Sequence, residues 1–114
     1  MPFRSSYRLD RHEINPAPDP AVGPDPWLGL PVYTFQWLEP ASGQIRDGVS
    51  QSIEVTVWDN PAFIRVSYDG VNYYDQIEVD NAHQPAQWWF AARTFQVRNA
   101  TAGNDARIQV VGMW

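Results

Sequence analysis

Ile53-Glu54-Val55-Thr56-Val57 and, a few residues on, Phe63-Ile64-Arg65-Val66-Ser67-Tyr68-Asp69-Gly70-Val71-Asn72-Tyr73-Tyr74 carry the fold of this chain. In the first stretch Ile53, Val55 and Val57 alternate with Ser52, Glu54 and Thr56. That period of two is the mark of a half-buried strand, because successive strand side chains point to opposite faces. In the second stretch Ile64, Val66 and Tyr68 alternate with Phe63, Arg65 and Ser67, and Asn60-Pro61 separates the two strands as a turn. Asp69-Gly70 predicts a two-residue type I′ hairpin. The return strand, Val71 to Val79, then places Tyr73, Asp75, Ile77 and Val79 on one face and Tyr74, Gln76 and Glu78 on the other.

The pattern continues on both sides. Phe95 and Val97 alternate within Thr94 to Arg98, and Ile108 and Val110 within Arg107 to Met113. Asn99 to Asp105, with Gly103-Asn104, reads as the loop between them. Further strands are expected over Val32 to Leu38 and Gln87 to Ala91. About six or seven short strands with regular turn signals and no helical period predict an all-β fold, an antiparallel β-sandwich of jelly-roll or immunoglobulin-like order.

Residues 1–31 read differently. Pro16, Pro18, Pro20, Pro24, Pro26 and Pro31 each remove a backbone donor and fix φ, which excludes helix and inner strand there. The expectation is an extended Pro-rich N-terminal arm over 1–31 and a β-sandwich domain over 32–114. Fully extended, such an arm would reach about 100 Å, well past its own domain. Deleting residues 1–26 is expected to leave a folded β domain.

The whole chain has 114 residues, the length of one domain. Its eight basic residues are all Arg, against thirteen acidic ones, for a net charge of −5. A nucleic-acid partner is not expected, since polyanion binders carry a basic excess. Without Cys there are no disulfides, no thiolate metal sites and no cysteine nucleophile. No apolar run has the length of a membrane span, and the first residues lack the apolar stretch of a secretory signal. No membrane association is expected.

Chemistry-bearing clusters are sparse. His83 with Asp80 has no serine at a nucleophile elbow beside it, so no catalytic residues are assigned and the protein is expected not to be an enzyme. Asp69, Asn72 and Asp75 lack the spacing of a calcium loop, and Asp69 is more simply a turn-former. No metal and no cofactor is expected. Asn99-Ala100-Thr101 matches a glycosylation acceptor by accident of sequence.

The aromatic content is the outstanding signal: six Trp, five Tyr and five Phe exceed what one small core uses. Strand parity forbids both members of Trp88-Trp89 or Tyr73-Tyr74 from entering one core, and Trp58 falls out of phase with Ile53, Val55 and Val57. Outward rings point to a surface covered by the arm or by a partner, and the same rings could equally stack against a sugar.

The segments from Phe63 to Tyr74 and from Ala91 to Gly103 resemble small virion proteins of tailed bacteriophages, which pair a strand, Ser-Tyr-Asp-Gly, strand hairpin with a late Arg-x-x-x-Val-Arg-Asn-x-Thr-Ala-Gly strand and loop. The similarity covers roughly residues 52–114 and not the Pro-rich arm. It implies a structural part of the virion, assembled in the host bacterial cytoplasm: a capsid decoration or cement protein, or a tail or head-tail accessory. Its partners would be other virion proteins and copies of itself, possible as a trimer. Phe3, Tyr7, Trp27, Trp58, Tyr74, Trp88 and Trp89 are the expected partner-binding residues. A carbohydrate- or receptor-binding module is the rival reading.

Overall fold

A computed structural model describes residues 9–39, 41–83 and 86–114. Ten strands occupy them: β1 (Leu9–Ile14), β2 (Tyr33–Thr34), β3 (Gln36–Leu38), β4 (Ile45–Asp47), β5 (Ser52–Trp58), β6 (Ala62–Ser67), β7 (Ile77–Val79), β8 (Ala86–Trp88), β9 (Thr94–Asn99) and β10 (Arg107–Met113). The protein is all-β. Among the described residues the one helical element is a 3₁₀ turn over Asn81–His83.

Two antiparallel four-stranded sheets carry the strands in the orders β1-β10-β5-β8 and β2-β9-β6-β7, and β3-β4 form a separate hairpin. With that hairpin set aside, the pairing has a simple logic. β1 pairs with β10, β2 with β9, β5 with β8 and β6 with β7. The chain thus behaves as one long hairpin, with its midpoint between β6 and β7, rolled so that successive pairs fall in alternate sheets.

Alternation supplies the core between the sheets. Ile53, Val55 and Val57 from β5, with Ile108 and Val110 from β10, meet Ile64 and Val66 from β6 and Phe95 and Val97 from β9, all essentially inaccessible to solvent. Each such side chain contributes about 1.5–3 kcal/mol by leaving water. Phe35 anchors one end, packed on Phe95 at 5.0 Å between ring centroids and edge-on to Trp114 at 6.4 Å. Its ring lies so close to β10 that a Cβ on Gly112 would stand 2.6 Å from it. Glycine is therefore the residue that lets Phe35 reach its seat.

Residues 9–31, expected as part of an arm, pack on the rest of the protein. Leu9–Ile14 is an inner-register partner of β10, from Leu9 opposite Met113 to Ile14 opposite Ile108. Its inward residues are Asp10, His12 and Ile14, so two of three are polar, and this hides the strand from a search for apolar alternation. The Pro-rich stretch that follows is the crossing from one sheet to the other. Ala17 donates its N–H to the Ala106 carbonyl at 2.9 Å, and Asn99 donates to the Pro18 carbonyl at 2.7 Å. Ala17 and Trp27 are buried. Prolines are no obstacle here because the segment needs few ladder donors.

Trp27 lies over the outer face of the second sheet. The Arg98 guanidinium sits 4.8 Å from the Trp27 ring centroid and 4.5 Å from that of Phe63. Arg65 sits 4.9 Å from Trp27 and 4.0 Å from Tyr73. Rings and guanidinium groups thus alternate in the order Phe63, Arg98, Trp27, Arg65, Tyr73. This cover is why every residue of β9 is buried, on both faces of the strand.

Two local expectations change as well. Val32 to Leu38 is not one strand: Tyr33 and Thr34 pair with β9, Phe35 donates its N–H to the Arg93 carbonyl at 2.8 Å, and Gln36 to Leu38 peel away to pair with β4. The Asp69-Gly70 turn is not type I′, which needs positive φ at both central residues. Gly70 has φ +86, but Asp59 is the non-glycine residue with positive φ among those described. Ser67 instead bridges to Tyr73, and regular pairing resumes only at Ile77.

Gly112→Ala is expected to lower stability by about 1–3 kcal/mol through overpacking against Phe35, and Trp27→Ala by about 3–5 kcal/mol, both measured by urea denaturation. Deleting residues 1–26 removes β1 and the buried Ala17, so the expectation from sequence reverses: circular dichroism should show loss of the cooperative β transition.

Candidate binding surfaces

β8 divides the aromatic residues between two surfaces. Trp88 lies opposite Ile53 and packs against the core, whereas Gln87 lies opposite Glu54 on the outer face. Trp89 turns outward as parity requires and is 77% exposed.

On the Trp88 side the rings form a row. Trp88 and Phe90 are nearly parallel, with ring centroids 6.5 Å apart and an interplanar angle of 6°. Phe90 stacks on Tyr74 at 5.1 Å, and Tyr74 meets Tyr68 at 6.3 Å. The row runs from the core outward: Trp88 and Phe90 are half-buried, and Tyr74 and Tyr68 are exposed. Its position is set by the loop after β6. There Asp69 accepts the N–H groups of Val71 and Asn72, each at 2.8 Å, and the Asn72 side-chain amide at 2.8 Å. These bonds hold the Asp69 carboxyl well below the ordinary carboxylate range, the Asn72 and Val71 N–H groups first among the causes. Both oxygens are therefore committed to shaping the loop, in keeping with Asp69 as a turn-former.

On the other side, Trp89 borders a groove of about 290 Å³ lined by Gln51, Ser52, Gln87, Met113 and Trp114. A smaller groove of about 160 Å³ lies beside Trp58, with Glu13, Asn15 and Arg107 in its walls. Trp58 ends β5 and is exposed on one face, with the Arg107 guanidinium 5.3 Å from its centroid and Arg107 Nε 2.9 Å from Asp59 Oδ2. Asp59, with φ +78, makes the tight turn closed by the Asn60 N–H on the Trp58 carbonyl at 3.0 Å. Leu9, Leu38 and Ile45, each at least half exposed, edge a third groove beside the β3-β4 hairpin.

The residues singled out from sequence are thus scattered rather than gathered. Tyr74 and Trp88 share the ring row, Trp89 and Trp58 stand on separate surfaces, and Phe3 and Tyr7 lie outside the described residues. Trp27, by contrast with the sequence expectation of a partner contact, is buried: its indole lies between Arg65 and Arg98 of its own chain, and its Nε1–H donates to Gln76 Oε1 at 3.1 Å. Sequence reasoning missed Tyr68 and Phe90, which parity alone assigned no special place.

The nearest approach to a catalytic pair is one that the sequence did not suggest. His12 Nε2 lies 2.7 Å from Asp10 Oδ2, walled by the rings of Tyr33, Phe35 and Phe95. Asp10 Oδ2 also accepts the Gln36 N–H at 2.9 Å. Among the described residues no serine or threonine hydroxyl joins this pair, and no three of His, Asp and Glu converge as metal ligands. Asn99, the glycosylation match, is fully buried; its amide donates to Asp19 at 2.8 Å, and its Oδ1 accepts the Ala106 N–H at 2.9 Å.

No family model, curated protein or solved structure matches this chain.

Asp69, and Asp19 through the Gly103 N–H and the Asn99 amide, have carboxyls held below their unfolded values. A depressed folded pKa contributes stability that is present above the unfolded value, about 3.9, and is lost as pH falls through the folded one. Asp69→Ala should therefore melt below wild type at pH 7, with the gap closing as the pH is lowered from about 5 towards 2, as read by thermal melts across that range.

Proposed function

We propose that this protein is a non-catalytic structural component of a bacteriophage virion, a capsid decoration or cement protein that binds neighbouring virion subunits. The observation that carries the proposal is the row Tyr68, Tyr74, Phe90 and Trp88, whose outer members stand exposed next to half-buried ones. Such a row offers rigid, low-entropy anchors backed by a packed core, the physical character of binding hot spots.

The strand pairing supports the same reading. Pairing of first with last and second with next-to-last, in two sheets, favours a jelly-roll β-sandwich over an immunoglobulin-like one. Jelly rolls recur in viral capsid proteins and lectins. Architecture alone does not assign a role, so the ring row bears the weight. The mechanism is burial of Tyr68 and Tyr74 on a neighbouring subunit, with residues 9–31 kept for the protein's own body and with no substrate turned over. A symmetric oligomer, a trimer in the simplest case, suits a part that repeats over a particle.

Tagged protein should co-purify with particles from the phage that encodes it and be quantifiable by mass spectrometry. The double variant Tyr68→Ala/Tyr74→Ala, folded by circular dichroism, should bind particles at least about tenfold more weakly. Absence of the protein from purified particles, or undiminished binding by the variant, overturns the reading.

A further inference from the structure

The groove beside Trp89 has a chemistry of its own. None of the side chains that line it, those of Gln51, Ser52, Gln87, Trp89, Met113 and Trp114, carries a charge, although the chain as a whole carries −5. Trp89 presents an open indole. Gln51 and Gln87 are exposed, and no described residue takes up either side-chain amide. The floor is firm: Trp114 packs against the core and meets Phe35 edge-on at 6.4 Å, and the Gln51 N–H donates to the Met113 carbonyl at 2.8 Å.

We propose that this groove is a binding subsite for a neutral sugar ring. A ligand for it must not be anionic, because no side chain in the lining offers a compensating cation. It must also offer an apolar face to the indole and hydrogen-bonding groups at the rim for two amides, each of which both donates and accepts. A pyranose ring meets all three demands, with axial C–H groups on one face and hydroxyls around its edge. At about 290 Å³ the groove lies at the lower limit of ligand-sized pockets, which suits one ring of a glycan chain and leaves the rest of the chain to run along the surface. Trp89 is the stacking platform, and Gln51 and Gln87 select for hydroxyls.

This site lies on the opposite side of β8 from the ring row, so it stands or falls independently of particle binding. The test titrates the intact protein with short neutral oligosaccharides of hexoses, of deoxyhexoses and of N-acetylhexosamines, and with an oligouronate as the anionic control, following tryptophan fluorescence and calorimetry. The expected result is saturable binding of a neutral oligosaccharide and none of the uronate. Trp89→Ala should weaken that binding about tenfold and Gln87→Ala about threefold, with Leu28→Ala, on an exposed residue far from the groove, unchanged. The proposal is overturned if no neutral oligosaccharide binds at concentrations up to about 10 mM, if the uronate alone binds, or if Trp89→Ala binds as wild type.

Discussion

Antiparallel pairing of Leu9–Ile14 with Arg107–Met113 joins the first described strand to the last, and the remaining architecture depends on that closure. It makes β10 an interior strand, flanked by β1 on one side and β5 on the other. It also fixes where the chain must go next. From the end of β1 the Pro-rich segment has to cross to the far sheet before β2 can pair with β9. Asn99 holds that crossing in place from a fully buried position: it donates to the Pro18 carbonyl and to Asp19 and accepts the Ala106 N–H. A buried amide with its hydrogen bonds made is a positional lock, since loss of any partner leaves a desolvated polar atom.

The crossing segment does more than connect. It closes the outer face of the second sheet, which is otherwise lined by Phe63, Arg65, Gln96 and Arg98. Arg98 is buried without a carboxylate beside it among the described residues; its partners are two ring faces, Gln76 Oε1 at 3.1 Å and the Asn99 carbonyl at 3.3 Å. Burial lowers the Arg98 pKa, yet a guanidinium keeps its charge in proteins. The quadrupoles of Trp27 and Phe63, worth about 0.5–2 kcal/mol each, therefore add to these two hydrogen bonds in compensating the charge. An acidic chain that lacks Lys uses its Arg groups as flat, stackable pieces of core.

Parity along β8 turns one adjacent pair of tryptophans into two surfaces. Trp88 extends the core into a row of rings, while Trp89 overlooks a small groove lined by side chains without charge. The separation is geometric and does not depend on what either surface binds.

Much of this was legible in the residues. The alternations of Ile53, Val55 and Val57 and of Ile108 and Val110 place those strands and their inward faces, because a period of two leaves each side chain one choice of face. The opposite fates of Trp88 and Trp89 follow from the same rule. Other features have no local signature. Leu9–Ile14 sets Asp10, Arg11, His12 and Glu13 between two aliphatic ends and shows no apolar alternation; it becomes a strand because Val110 and its neighbours offer a ladder and because Tyr33, Phe35 and Phe95 wall in His12. Trp27 looks like any tryptophan of a proline-rich tail until Arg65 and Arg98, far along the chain, are set beneath it. Pairing order, and with it the grooves and the ring row, arises from contacts between residues distant in sequence, where composition and period carry no information about which partner is met.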